Sequence, residues 1–166
     1  MMTEMEWLAG SGGRSIEQLI QLEQTHRIDS IVVAVEDALL EKAELTAAER
    51  IVLAVEAMER EVNNGGFHQF FLNSSDEYAP ILVSVLEEIG AVKTAEIADH
   101  AARALGAVPD WAPERYELAA SKANESTLAE LSACDDAYYS SGEAIADILF
   151  EFIKANKADI NLGTDS

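Results

Sequence analysis

Glu61-Val62-Asn63-Asn64-Gly65-Gly66-Phe67-His68-Gln69-Phe70-Phe71-Leu72-Asn73 is the stretch on which the fold turns. Paired glycines permit a sharp reversal of the backbone. After them Phe67, Phe70 and Phe71 stand three and four apart, which makes one side of a short helix aromatic. Before them Thr46 and Glu49 form a capping box, and Ile51, Val55, Met58 and Val62 recur at helical spacing. A helix, an elbow and a second helix are expected. Asn64, Gln69 and Asn73 are expected to bond the backbone groups that the elbow frees.

The same period extends outward in both directions. Upstream, Asp29 reads as an N-cap, with Ile31, Val32, Val35 and Leu39 as the apolar face. Downstream, Ser75 and Asp76 can start a helix that carries Leu82, Val85 and Leu86 and stops at Gly90. Thr94 can cap the next helix, which runs to Gly106, and Pro113 can open a short one. Ser126 or Thr127 starts another through Leu131 and Cys134. Ile145, Ile148, Leu149, Phe152 and Ile153 stripe the last. No run of residues alternates in the manner of a strand. The expected fold is all-α, a compact domain of about seven to nine helices. It spans residues 15–162, with a loosely tied segment at 1–14 and a frayed tail at 163–166.

Charge narrows the function. The 166 residues include 31 acidic and 11 basic side chains, for a formal net charge of −20, yet 49% are hydrophobic. Such a chain folds rather than behaving as an acidic tail. It repels nucleic acid and anionic membranes and attracts basic protein surfaces. No apolar run approaches the ~20 residues of a bilayer span, no signal segment opens the chain, and one cysteine closes no internal disulfide. A soluble, cytoplasmic protein is expected, with no direct nucleic-acid or membrane contact.

The acids fall at helical spacing. Asp37, Glu41 and Glu44 are four and three apart, and Glu143, Asp147 and Glu151 are four apart. Carboxylates one turn apart are separated by about 6 Å along a helix, and phosphates on a DNA strand advance ~3.4 Å per step along the axis and lie further apart through space, so the spacings are comparable in order. These six residues are the candidate partner contacts. A rigid helical surface bearing them can present anions to a groove built for a phosphate backbone.

Asn64, Gly65, Gly66, Phe67, Gln69, Phe70, Phe71 and Asn73, with Ile89-Gly90-Ala91 beyond them, resemble a bacterial domain-of-unknown-function family. It includes a nineteen-kilodalton DNA-mimic protein. The resemblance covers roughly residues 40–155. It implies an all-helical fold and a dimer that occupies the DNA-binding face of a transcription regulator. The motif residues are scaffold, so they carry the fold rather than the mimicry.

Other chemistry finds less support. His26, His68 and His100 form no metal-binding spacing, and no phosphate-binding glycine loop is present. No catalytic residue, cofactor or metal is expected. Asp135 and Asp136 beside Cys134 raise its pKa and so disfavour a thiolate nucleophile. Two alternatives remain. One is an enzyme or small-ligand binder with a polar pocket at Asn64, His68 and Gln69. The other is an immunity or antitoxin-like protein.

Overall fold

The computed structural model describes residues 4–73 and 77–163. Ser75 and Asp76, expected to start a helix, and residues 164–166 of the tail lie outside the described residues. Helix makes up 71% of the structure, and the described residues hold eight α-helices and no strand, so the protein is all-α. The chain divides into two compact units, Met1–Leu53 with Ala144–Ser166, and Ala54–Glu143. The reading of one helical body over 15–162 does not draw this division.

The first unit contains α1 (Ile16–Ile20), α2 (Ile28–Leu39), the start of α3 (Ala47–Asn73) and α8 (Ile145–Ala155). Ser15 and Gln18 form a capping box that starts α1. Arg27 is the N-cap of α2, so Asp29 lies inside the first turn, paired with the Arg27 guanidinium at 2.7 Å. α2 packs against α8. Their apolar stripes, Ile31, Val35 and Leu39 on one and Leu149, Phe150 and Ile153 on the other, are buried. Glu6 exchanges backbone hydrogen bonds with Thr25 and Arg27, and the buried Leu8 donates its N–H to Ser30 Oγ.

Glu49 is the main polar node of this unit. It is 0% exposed. Lys42 Nζ donates to both its oxygens, at 2.8 and 2.7 Å. The Thr46 N–H donates to Oε1 at 2.8 Å, and the Asn161 N–H to Oε2 at 2.7 Å. Thr46 Oγ1 in turn accepts from the Glu49 N–H and donates to the Asp159 carbonyl. The capping box read from the sequence is present, and it also anchors the C-terminal segment. Burial alone would raise the pKa of Glu49. The Lys42 ion pair and the two backbone donors outweigh it, and the carboxyl sits below its usual value.

The second unit contains most of α3 together with α4 (Leu82–Ile89), α5 (Val92–Ala104), α6 (Pro113–Ser121) and α7 (Glu125–Ser140). Gly90, at φ 92°, ends α4 in the left-handed conformation that only glycine adopts cheaply. α5 packs against both α4 and α7. Asn124, not Ser126 or Thr127, caps α7 by accepting the Thr127 N–H. An aromatic chain runs through the unit: Trp111 against Tyr116, Tyr116 stacked on Phe71, Phe71 against Phe67 and Phe70, and Phe67 edge-on to Tyr138.

Candidate functional site

The elbow breaks α3 at Gly65 (φ −156°, ψ 16°) and Gly66 (φ 79°, ψ −176°). A break inside a helix leaves a carbonyl and an N–H without their intrahelical partners. Asn64, Gln69 and Asn73 do not supply them, contrary to expectation. Asn64 and Asn73 are exposed, and Gln69 Nε2 donates instead to Glu61 Oε2 at 2.7 Å. The partners come from α7. Asp135 Oδ1 accepts the Phe67 N–H at 2.8 Å, and Tyr139 OH donates to the Val62 carbonyl at 2.8 Å. Asp135 and Tyr139 are four residues apart, so one face of α7 clamps both sides of the break. Beside them the Glu59 carboxylate accepts from Asn63 Nδ2 at 3.1 Å.

The electrostatics follow from this packing. Burial raises the pKa of Glu59 in spite of the opposing influence of Tyr138 and Asn63. Burial, reinforced by the Glu59 charge, holds the Tyr138 phenol well above its usual value. Asp135 is also raised, chiefly by burial, with the Phe67 N–H pulling the other way and Asp136 adding to the rise. Two substitutions at Asp135 separate charge from hydrogen bonding. Asp135→Ala removes the acceptor at Phe67 and is expected to cost about 1–2 kcal/mol in urea unfolding. Asp135→Asn keeps an acceptor oxygen and is expected to cost less than about 1 kcal/mol.

The motif aromatics behave as scaffold. Phe67, Phe70 and Phe71 are buried. The pocket expected at Asn64, His68 and Gln69 is not formed by these side chains. His68 Nε2 bonds the Ala120 carbonyl at 3.0 Å, Gln69 turns to Glu61, and Asn64 faces solvent. Cys134 is buried, and its thiol is pushed up to about 11 by burial first, then by Asp135 and Glu130. Glu130, one turn back on α7, acts where the sequence pointed to Asp136. Among the described residues, no three His, Cys, Asp or Glu side chains gather as a metal site. No described helix is long and apolar enough to cross a membrane.

The six acids chosen from the sequence occupy different settings. Asp37 is exposed on α2. α2 ends at Leu39, so Glu41 and Glu44, although exposed, lie beyond it and do not extend its face. The apolar period that sustains the helix stops there, and charge spacing alone does not continue it. Asp147 and Glu151 are exposed on α8, one turn apart, with Glu151 also 2.8 Å from Lys154. Glu143 precedes α8 and belongs to the other unit. It accepts the Lys93 and Thr94 N–H groups, at 3.0 and 2.7 Å, and the Thr94 hydroxyl at 2.6 Å. Glu143 therefore caps α5, the role expected of Thr94. Burial opposes its charge, the bonds from Thr94 and Lys93 outweigh that, and its pKa is lowered.

Acid predominates in each unit. Residues 54–143 carry 17 acids and 5 basic residues, so no basic surface can balance them. Exposed carboxylates there include Glu87, Glu88, Glu96, Glu114, Glu117, Glu125, Glu130 and Asp136. Several cations are already engaged: Lys42 with Glu49, Arg27 with Asp29, Arg103 with Asp99, and Lys154 with Glu23 and Glu151.

Comparison with protein-family models matches residues 43–156 to the model described as DMP19-like protein. No curated protein and no solved structure matches.

Proposed function

The chain belongs to the DMP19-like protein family, and on that premise we propose that it is an acidic interaction protein acting as a DNA mimic. Its carboxylate-bearing surface occupies the nucleic-acid-binding face of a basic protein such as a transcription regulator. The observation that carries this reading is the net charge of −20 on a folded, helical chain with many exposed carboxylates. The family is not a known enzyme family, and of the elbow side chains that a pocket would need, His68 and Gln69 turn to separate partners while Asn64 faces solvent.

Asp37, Glu41, Glu44, Asp147 and Glu151 are the proposed contacts, all within the first unit. Glu143 is left out because both its oxygens are engaged in capping α5. A cytoplasmic homodimer is part of the same reading. The test is capture from lysate at low salt, followed by a salt series and competition with duplex DNA. DNA-binding proteins released by DNA are the expected outcome, and retention of no basic protein would end the proposal. Against a captured partner, the variant Asp37→Asn, Glu41→Gln, Glu44→Gln, Asp147→Asn, Glu151→Gln is expected to bind about tenfold or more weakly, chiefly through slower association. Neutralising Glu87, Glu88, Asp110, Glu114 and Glu117 instead should have a smaller effect. Equal losses from the two sets would mean that total charge, not its pattern, is read.

A further inference from the structure

We infer that the cleft between α5 and α7 is a docking groove for an aliphatic side chain carried on a cationic helix of the partner. The inference rests on the acidic-interaction reading above and locates a second contact for it. The cleft has a volume of about 240 Å³ and is lined by Glu96, Ile97 and His100 of α5 and by Ala133, Cys134 and Ala137 of α7. Its origin is a deficit of side-chain volume. α5 and α7 pack closely, yet α7 presents alanine at 133 and 137, one turn apart, where larger residues would fill the space. Both alanines are exposed, so a partner can reach the floor without any rearrangement.

Size and charge choose the occupant. The cleft is smaller than the roughly 300–1,000 Å³ of sites for drug-sized ligands, which suits one or two aliphatic side chains better than a cofactor. The lining is mainly apolar, and it is rimmed by acid. Glu96 is part of the wall, Glu130 stands one turn before Ala133 on the same face of α7, and Asp136 stands on the exposed side within a turn of Ala133. His100 is the sole basic group among the lining residues. Leucine, isoleucine or methionine flanked by lysine or arginine meets this arrangement on both counts. A second copy of the chain, at −20, fails the requirement of charge.

The test compares two synthetic helical peptides of equal positive charge by fluorescence anisotropy. One carries lysines flanking a leucine stripe, and the other has every leucine replaced by glutamine. The leucine peptide is expected to bind about tenfold or more tightly and to shift the amide resonances of Ile97, Ala133 and Ala137. Ala133→Leu with Ala137→Leu fills the cleft without altering charge, and it is expected to abolish the leucine advantage while leaving the glutamine peptide's affinity intact. Unchanged circular dichroism and melting would show that the variant folds, and the resonance shifts on the wild-type protein decide the matter if it does not. Equal binding of the two peptides to the wild type would overturn the groove and leave the acidic-interaction reading standing. Binding of neither at low salt would overturn that reading itself. A dimer dispersed by the two leucines in light scattering would assign the cleft to self-association and overturn the inference.

Discussion

Glu49→Ala is expected to lower stability by about 3–5 kcal/mol, the cost of breaking a buried ion pair from one side. Glu49 is fully buried, and its two oxygens receive Lys42, Thr46 and Asn161 together. Alanine leaves the Lys42 ammonium without its carboxylate and two backbone N–H groups without acceptors. It also undoes the capping box at the start of α3 and the hold on the C-terminal segment. Urea unfolding monitored by circular dichroism measures the loss, and a change under about 1 kcal/mol would refute the account. Glu49→Gln retains an acceptor but not the charge and should fall between the two.

The pH dependence carries the same signature. The folded pKa of Glu49 lies below its usual 4.5, so its contribution is present above that value and drains away as pH falls through the lowered one. Glu143 behaves alike. Glu59 and Asp135 act in the opposite sense. Their raised folded values favour the native state when protonated, a contribution lost as pH rises through those values. The stability difference between the wild type and Glu49→Ala should therefore shrink on the acid side of 4.5, where the contribution of Glu49 is lost.

Gly66→Ala is the second large effect. At φ 79° and ψ −176° the residue occupies a region open essentially to glycine, with strain of about 1–3 kcal/mol for any other side chain. A Cβ there would lie 2.7 Å from the Asp135 carboxyl carbon. The carboxylate must withdraw, and the Phe67 N–H loses its acceptor at a further cost of about 1 kcal/mol. A total of about 3 kcal/mol lowers the melting temperature by roughly 6–12 °C in a chain of this size. Gly65→Ala is the control. Its φ is negative, and its Cβ would meet the Gln69 side chain, including Cβ at 2.9 Å. Much of that chain is flexible and can move aside, so a smaller loss is expected. Equal losses at the two positions would contradict the role given to Asp135.

The sequence made local features legible and distant ones obscure. Apolar period revealed α2, α3, α4 and α8. Gly90 marked a helix end, and Thr46 with Glu49 marked a helix start, because each signal lies within a few residues of its effect. The elbow was legible from Gly65 and Gly66, and the family from the aromatics after them, over residues 43–156. What satisfies the elbow was not legible. Asp135 and Tyr139 lie 68 and 77 residues from their partners, and nothing nearby announces them. The same holds for Glu143 at the start of α5, 49 residues from Thr94. The proposed contact acids were the least legible of all. Glu41 and Glu44 have helical spacing from Asp37 without the apolar residues that would keep α2 going past Leu39.

The two bonds from α7 to the elbow have a mechanical meaning. Asp135 and Tyr139 hold opposite sides of the same bend, so sliding or rotating α7 by a single residue would detach both at once. Bend angle and α7 register are thereby one coordinate, and anything that grips α7 from outside holds a lever on the kink.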